Sequence, residues 1–176
     1  MSDEDRHDWA GVCADDEAAL ARLFDRHGDR LFRHASRFLS VREDAKDAVV
    51  IAFSELWRKR RAVRLVDGSP LPWLLNTVSN AARNLERSAR RYRNLLARTP
   101  RSEDVPAPVV ADESGLLAAL RELPTREREV VVLSILEGYP EKDTAAALGI
   151  PVGTVKSRLA RAKARLREDI IPMWES

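Results

Sequence analysis

The sequence predicts an all-α protein of two small helical domains, joined by a flexible acidic linker, with a helix-turn-helix in the second domain. Two observations predict the helices. Ala, Leu and Arg are abundant while aromatic residues make up 6% of the 176 residues, and the β-like run VVVLS at 130–134 lies inside a longer helical period. A third observation separates the domains: residues 99–113 contain three prolines and four acidic residues, which is typical of an extended linker.

The composition argues against several functional classes. A single cysteine excludes an internal disulfide, and the three histidines have no cysteine partners at zinc spacing. Because the chain has no apolar run of about 18 residues and begins with acidic rather than basic residues, we expect a cytoplasmic protein without membrane insertion. It has no glycine-rich phosphate loop, catalytic triad pattern or metal-ligand cluster, so we expect no enzyme, no cofactor and no small-molecule substrate.

Charge is distributed unevenly along the chain. The formal net charge is only +2, but residues 1–20 carry seven acidic side chains and one arginine, whereas residues 83–101 carry seven arginines and one glutamate. Such asymmetry suggests basic surfaces for nucleic acid and acidic segments with another role.

The first domain is predicted at 16–97, after an acidic N-terminal tail at 1–15 that we expect to be poorly ordered over 1–14. Asp15 or Asp16 can cap the first helix. Helical spacing of apolar residues predicts either one helix over 16–39 or two that are separated by a break near Gly28, and a further helix over 43–60. A turn signal at 67–70 then marks a loop, and Pro72 can open a helix over 71–97.

The helix over 71–97 combines aromatic, amide and basic side chains. Arginines bind phosphates and aromatic rings stack on unpaired bases, so this mixture suits nucleic acid. For Trp73 the alternative, a core position, stays open; for Leu74 and Val78 the core is the better interpretation. The side chains with nucleic-acid chemistry are Trp73, Asn76, Asn80, Arg83, Arg87, Arg90 and Arg91.

The second domain begins near Ser114. Pro124-Thr125 interrupts the helical pattern. Thr125 can start a new helix over 126–137, and Gly138 ends that helix. Residues 140–167 then read as two short helices around a tight turn.

The turn has the residues that end one helix and begin the next. Gly149 can take the positive φ that ends a helix, and Pro151 suits the first position of a new one. Apolar residues from Val155 to Leu166 fall on one stripe of that second helix.

The other side of this helix has the shape and charge of a major-groove recognition surface. The alternative is an amphipathic surface helix whose charges are only solvated. The preceding helix and the glycine turn favour the helix-turn-helix. The outward residues are Lys156, Ser157, Ala160 and Arg161, with Arg158 and Arg165 among the flanking bases.

Two segments resemble a known family. LRELPTREREVVVLSILEGYPEKDTAAALGIPVGTVKSRLARAKARLRE resembles region 4 of bacterial RNA polymerase sigma factors, and its string GIPVGTVKSRLARA is highly specific. LFDRHGDRLFRHASRFLSVREDAKDAVVIAFSELW, followed by PWLLNTVSNAARNLERSARR, resembles region 2 in order and spacing. With these two regions and a short linker, the chain is similar to the extracytoplasmic-function (ECF) group. The implied domains are region 2 at 16–97, a linker at 98–113 and region 4 at 114–170.

The resemblance implies an alternative sigma factor whose partners are core RNA polymerase and promoter DNA. Region 4 would read the −35 element as duplex through the outward face of the recognition helix. Region 2 would grip the melted −10 element, whose flipped-out base would be held by the loop 64–69, including Arg64 and Asp67. Trp73, Asn76 and Asn80 would lie nearby. Upstream phosphates would be bound by Arg83, Arg87, Arg90 and Arg91.

The helix at 43–58 would hold the core polymerase, and the acidic linker would thread the polymerase cleft. The implied polymerase contacts are Asp44, Asp47, Val50, Ile51, Ser54 and Glu55. An anti-sigma factor is a further candidate partner, since one is common in the group and an exposed apolar residue such as Ile51 would suit it.

The sequence departs from the family pattern at a few positions. Val50 and Ile51 replace a usual Gln-Glu pair, which implies a more apolar polymerase contact or a different clamp arrangement. Ala160 stands where a bulkier or more polar side chain is common, so base reading there would be apolar, for instance against a thymine methyl. The tail at 1–15 is outside the shared pattern.

Two rival functions fit parts of the sequence. A free-standing helix-turn-helix regulator that never joins polymerase would explain 114–168 but leaves 16–97 without a task. A protein–protein adaptor would use the basic faces on acidic partners and would show no preference for a DNA sequence.

Overall fold

The computed structural model describes residues 3–96, 119–120 and 122–174. The predicted linker at 98–113 lies outside these residues. Within the described ranges the regular elements are helical, apart from one isolated bridge between Val66 and Ser69. The α-helices are α1 (Asp3–Cys13), α2 (Glu17–Ala35), α3 (Arg42–Lys59), α4 (Leu71–Leu96), α5 (Thr125–Val131), α6 (Glu141–Leu148) and α7 (Val152–Trp174). We call residues 3–96 the first module and the described residues from 119 onward the second module.

The N-terminal residues fold as α1, so the prediction of a poorly ordered tail is wrong. Trp9 and Val12, 8% and 0% exposed, pack α1 along α2. The buried Asp8 accepts hydrogen bonds from Arg22 at 2.6 Å and Arg26 at 2.7 Å, and these bonds lower the pKa of Asp8. An acidic helix is ordered here because the basic side of α2 compensates its desolvated carboxylates.

The acidic N-terminal helix also fixes the loop before α4. Asp5, 3% exposed, accepts hydrogen bonds from Ser69 and from Arg26, and lies 3.0 Å from Nε2 of His27. The loop turns through left-handed backbone at Asp67 (φ 51°) and Gly68 (φ 80°). The predicted turn at 67–70 is therefore confirmed and anchored to α1.

The remaining helices of the first module agree with the predicted ranges to within a few residues. Asp16 caps α2 through a hydrogen bond of 2.9 Å from the Ala18 amide. Of the two alternatives for this segment, the structure has the single helix, because α2 runs through Gly28 without interruption to Ala35. The sequence leaves Trp73 open between a core position and a nucleic-acid contact. It is half-buried and packs against the first core, so part of its ring remains exposed.

The start of the second module differs in detail from the prediction. Thr125 does not cap α5: the Pro124 carbonyl accepts the first helical bonds, and the Thr125 hydroxyl receives a hydrogen bond from Arg83 instead. The helix passes into a π-helical turn at Val132–Leu136 rather than remaining α-helical to 137. Gly138 then reverses the chain with φ 73°.

The helix-turn-helix is confirmed in α6 and α7. Gly149 ends α6 with φ 64°, and its amide bonds the last carbonyls of that helix. Pro151 lies just before α7 rather than at its first position, and its carbonyl accepts from the Thr154 amide at 2.9 Å. Val155 and Ala162, both 0% exposed, lie on the buried stripe of α7, as predicted.

The two modules pack against each other. The large core of α1–α4 also includes Val132, Leu133 and Ala147 of the second module. A smaller core joins α5 to the buried stripe of α7. Among residues 3–96, 119–120 and 122–174, every helix is too short or too polar to span a lipid bilayer.

Replacing Trp9 by Ala should destabilise the first module by about 3–5 kcal/mol, since the change leaves a cavity between α1 and α2. Urea unfolding followed by circular dichroism measures this loss. Tyr92→Ala removes an aromatic ring that is 63% exposed on α4 and serves as the control. Equal stability of the Trp9 variant and the wild type would contradict the packing of α1 described above.

Candidate nucleic-acid interface

The outward face of α7 is exposed as predicted. Lys156, Ser157, Ala160 and Arg161 are all exposed, while Leu159 beneath them is 8% exposed. Local hydrogen bonds orient this face: Ser157 donates to the Thr154 carbonyl at 3.1 Å, and Arg161 donates to the Ser157 carbonyl at 3.3 Å. The face is therefore open to a ligand the size of a DNA duplex.

The flanking arginines of α7 behave differently from the outward face. Arg158 is half-buried. Arg165 lies 3.0 Å from a carboxylate oxygen of Glu127, a side chain that is 8% exposed. Arg165 therefore forms an ion pair between α7 and α5, a contact that sequence reasoning missed.

The predicted strand-binding residues divide into a covered and an open group. Arg87, Arg90 and Arg91 are exposed on the C-terminal half of α4, and Arg64 and Asp67 are exposed in the loop. Asn76, Asn80 and Arg83 are half-buried, as is Trp73. The cause is the second module, which lies over this part of α4.

Side chains of α5 engage the covered group directly. Asn80 donates to Glu129 at 3.3 Å and accepts from Arg128 at 3.4 Å, and Arg83 donates to Thr125. Burial and the neighbouring charge of Arg83 lower the pKa of Arg128 to about 10.

The turn of the helix-turn-helix also reaches the predicted strand-binding surface. The guanidinium of Arg64 stands against Gly149 and occupies the space that a Cβ at this position would need. A cavity of about 280 Å³ remains between the modules, lined by Ala62, Arg64, Trp73, Asn76, Glu129, Ala147 and Leu148.

A buried carboxylate that the sequence analysis did not single out joins the modules. Glu137, whose side chain is 7% exposed, follows the π-helical turn and enters a basic socket at the C-terminal end of α2. Arg30, His34 and Arg37 contact its oxygens at 2.9, 2.7 and 3.0 Å. On its other side His34 lies 2.8 Å from the Ser79 hydroxyl of α4. The available signal was the spacing of Arg30 and His34 on one face of α2, with Arg37 just beyond the end of the helix.

The socket determines the ionisation of Glu137. Burial disfavours the charged form, but hydrogen bonds from His34 and Arg30 outweigh it and lower the pKa of Glu137 to about 2. The carboxylate is therefore ionised at neutral pH.

The predicted polymerase residues share the outer side of α3. Asp47, Val50, Ile51 and Ser54 are exposed, and Asp44 is half-buried. The half-buried Glu55 is paired with Arg58 and Lys59, each at 2.7 Å.

An apolar groove runs beside this surface between α2 and α3. Its volume is about 470 Å³, and Phe24, Phe32, Val49 and Val50 line it together with the charged rim residues Asp25, Asp29, Arg42 and Lys46. Val50 is 54% exposed at its edge. Within the described part of the chain, no group of three or more His, Cys, Asp or Glu side chains could hold a metal ion.

The two modules together define a DNA-binding protein of the sigma-70 class. The family model "Sigma-70 region 2" matches residues 23–92, and "Sigma-70, region 4" matches residues 114–166. These matches cover α3, most of α2 and α4, and the helix-turn-helix, so both modules have a counterpart in one class of protein.

Comparison with named relatives assigns the chain to one group within the sigma-70 class. The chain is 37% identical over 164 residues to the ECF RNA polymerase sigma factor SigM of Mycobacterium tuberculosis, covering 89% of this chain and 80% of the relative. It is 31% identical to SigL of the same species, covering 90% and 92%. The chain belongs to the ECF group of RNA polymerase sigma factors and is an alternative sigma factor that directs RNA polymerase to promoters.

Solved structures agree with this assignment. CnrH in complex with the cytosolic domain of CnrY matches with a TM-score of 0.59 and 29% identity, covering 94% of this chain and 96% of that one. The sigma factor RpoE in complex with the anti-sigma factor NepR, from Bartonella quintana, matches with a TM-score of 0.53 and 25% identity, covering 85% and 95%. The rival interpretation as a free-standing regulator is not favoured, because the similarity extends over both modules.

The ion pairs of Glu137 should make stability depend on pH. The pKa of Glu137 is lowered from an ordinary value of 4.5 to about 2, so the folded state favours the ionised form. Its contribution is therefore complete above about pH 4.5 and is lost as the pH falls through that value towards 2. We expect the difference in unfolding free energy between wild type and Glu137→Gln to shrink across this window. A difference independent of pH between 5 and 2 would contradict the ionised socket.

Proposed function

We propose that this sigma factor contacts its promoter at two places. The outward face of α7 binds the −35 element in the major groove, and α4 with its preceding loop binds the melted −10 strand. The observation that carries the first assignment is the exposure of Lys156, Ser157, Ala160 and Arg161 above a buried stripe. A helix so presented enters a major groove and reads base edges with its outward side chains.

The assignment of α4 to the melted strand is supported by its composition and exposure. The exposed Arg87, Arg90 and Arg91 form a basic track for phosphates along the C-terminal half of the helix. Trp73 and Asn76 line the cavity at the other end, together with Arg64 of the loop. An aromatic ring and an amide beside a pocket suit a base that has left the stack.

We assign core-polymerase binding to the outer side of α3 and the adjacent groove. Val50 and Ile51 are 54% and 39% exposed, which makes this contact apolar at its centre. The acidic residues Asp44 and Asp47 lie on the same helix and would supply charged contacts at its edge.

We further propose an anti-sigma factor as a partner that competes for the same surface. Two structural neighbours support this choice, since one is a complex with the cytosolic domain of CnrY and the other a complex with the anti-sigma factor NepR. Solvent-exposed Phe24, at 41%, together with Val50 and Ile51 forms an apolar patch that an amphipathic helix would cover.

Run-off transcription with core polymerase on genomic fragments tests the −35 assignment. Arg161→Ala should weaken promoter-specific initiation by about 1–3 kcal/mol, because a guanidinium that binds a base edge is lost. Arg33→Ala removes an exposed positive charge from α2 and should leave the −35 preference unchanged. An unaltered −35 preference in the Arg161 variant would show that this face of α7 does not read bases.

A pull-down with core polymerase tests the assignment of α3. Ile51→Asp places a charge in the apolar centre of the contact and should reduce retention by roughly tenfold or more, because burying an Ile side chain is worth about 1.5–3 kcal/mol. Ile135→Asp, at a position 49% exposed in the second module, is the matched control. Failure of the wild-type chain to bind polymerase would favour the free-standing regulator.

A further inference from the structure

The acidic helix α1 contacts the C-terminal end of the loop that we assign to the −10 base. The buried carboxylate of Asp5 accepts a hydrogen bond from the Ser69 hydroxyl. Arg6, the next residue of α1, lies over the turn, where a Cβ at Gly68 would be 3.0 Å from Nε of Arg6. The helix precedes residues 23–92, the range that the region 2 model matches. These contacts therefore reach the loop from outside that range.

The same N-terminal segment also contacts the start of the connection between α3 and α4. Asp15, which follows α1, binds the guanidinium of Arg60. Arg60 in turn donates a hydrogen bond of 2.6 Å to the Trp57 carbonyl of α3, and its guanidinium lies 4.8 Å from the centre of the Trp57 ring. Both ends of the connection are thus bound to the N-terminal segment, whereas Arg64 and Asp67 between them are exposed.

The hydrogen bond between Asp5 and Ser69 has an ionised acceptor that is shielded from water. Burial alone would raise the pKa of Asp5, but the hydrogen bond from Ser69 and the electrostatic attraction to His27 outweigh this effect, so the pKa is lowered. Arg26 binds Oδ1 of the same carboxylate at 2.8 Å, and Ser69 binds Oδ2. Hydrogen bonds to a charged acceptor are roughly twice as strong as those between neutral groups.

Ser69 connects this contact to the turn and to α4. Its backbone pairs with that of Val66 through two hydrogen bonds of 3.0 and 3.1 Å, which close the turn around Asp67 and Gly68. Its hydroxyl also accepts a hydrogen bond of 3.2 Å from the amide of Leu71, the first residue of α4. Asp67 has a left-handed φ of 51°, which non-glycine residues adopt infrequently and keep only where their surroundings fix it. The conformation at Asp67 therefore depends on the position of Ser69.

We propose that α1 determines −10 specificity indirectly: Asp5, through Ser69, holds the turn in the conformation that presents the loop to the flipped-out base. The side chains so presented are Arg64 and Asp67. Asp5 is then a positioning residue that touches no DNA itself. The proposal rests on the proposed −10 role of the loop. It leaves the −35 element unaffected, because the outward face of α7 belongs to the other module.

Two variants remove the contact, and a third is the matched control. Asp5→Ala removes the acceptor on α1, and Ser69→Ala removes the donor from the loop side, so it preserves the packing of α1 if the first variant fails to fold. Asp8→Ala is the control, because Asp8 is also 3% exposed on α1 and also binds Arg26, but its second partner is Arg22 of α2. Circular dichroism checks that each chain keeps its helices.

Hydrogen–deuterium exchange of the full chain measures the opening of the turn. The amides of Val66 and Ser69 donate within the turn, so we expect faster exchange of both in Asp5→Ala and Ser69→Ala. Asp8→Ala should exchange these amides as the wild type does. Unchanged exchange in Asp5→Ala, or an equal increase in Asp8→Ala, would overturn the positioning role.

Initiation by the holoenzyme measures base preference. The template is a promoter fragment from the run-off assay that carries each of the four bases in turn at every −10 position. At the position that the loop reads, the ratio of initiation with the preferred base to initiation with the other bases should fall about two- to thirtyfold in Asp5→Ala, the range for substitutions that act on a site from outside it. Ser69→Ala should give a similar fall and the double variant no further fall, because both changes remove one hydrogen bond. Asp8→Ala should keep the wild-type ratio, since a loss of stability lowers initiation with all four bases alike.

Arg64→Ala and Asp67→Ala separate a failure of this inference from a failure of the proposed function. If they lower the ratio but Asp5→Ala does not, or if Asp8→Ala lowers it as much as Asp5→Ala, the loop reads the base and α1 has no part in specificity. If Arg64→Ala and Asp67→Ala leave the ratio unchanged at every −10 position, the −10 role of the loop fails, and the positioning role of Asp5 in specificity fails with it.

Discussion

The burial of Glu137 is the interaction on which the arrangement of the two modules depends. A carboxylate removed from water costs several kcal/mol unless charged donors replace its hydration. Here Arg30 and His34 on one face of α2, and Arg37 just beyond its end, donate to the carboxylate at 2.9, 2.7 and 3.0 Å. Because the socket exists only where α2 meets the turn after α5, it fixes the approach of the second module. Val132 and Leu133 of that turn then complete the core of the first module.

The acidic and basic segments of the sequence pair with each other inside the folded chain. Acidic α1 binds the basic side of α2 through Asp5 and Asp8. Glutamates of the second module bind basic or amide groups of α2 and α4 through Glu137 and Glu129. The small net charge of +2 is therefore the sum of acidic and basic surfaces that face each other, α1 against α2 and the second module against α2 and α4. Exposed bases also lie on the outward face of α7 and the C-terminal half of α4, the two places assigned to DNA, and at other positions such as Arg33 of α2.

Local features could be predicted from the sequence, whereas long-range pairing could not. The ends of α4, the turn at 67–70 and the left-handed Gly149 follow from residues that act on their own neighbours. The outward face of α7 follows from helical spacing alone. The folding of residues 3–13 into α1 depends on partners in another helix, such as Arg22. The contacts of Glu137 and Arg165 likewise depend on residues far away in sequence, such as Glu127 for Arg165. The sequence correctly places Asn80 on a helix. The contacts of its side chain with α5 depend on tertiary packing and could not be predicted from local spacing.

The two modules belong to one chain, so their contact is an intramolecular event. Its effective concentration is in the millimolar range for short linkers, and each contact therefore adds to an association that already has a low entropic cost. The contact has a solvent-exposed and a buried part. Arg30 and Arg37 are 43% and 44% exposed, and charge pairs so open to water contribute little each. The buried part consists of His34, 1% exposed, which meets Glu137, and of Val132 and Leu133, both 0% exposed in the core of the first module. Because burial of apolar side chains is the larger favourable contribution, Val132 and Leu133 stabilise the contact, whereas the donors around Glu137 determine where the second module sits.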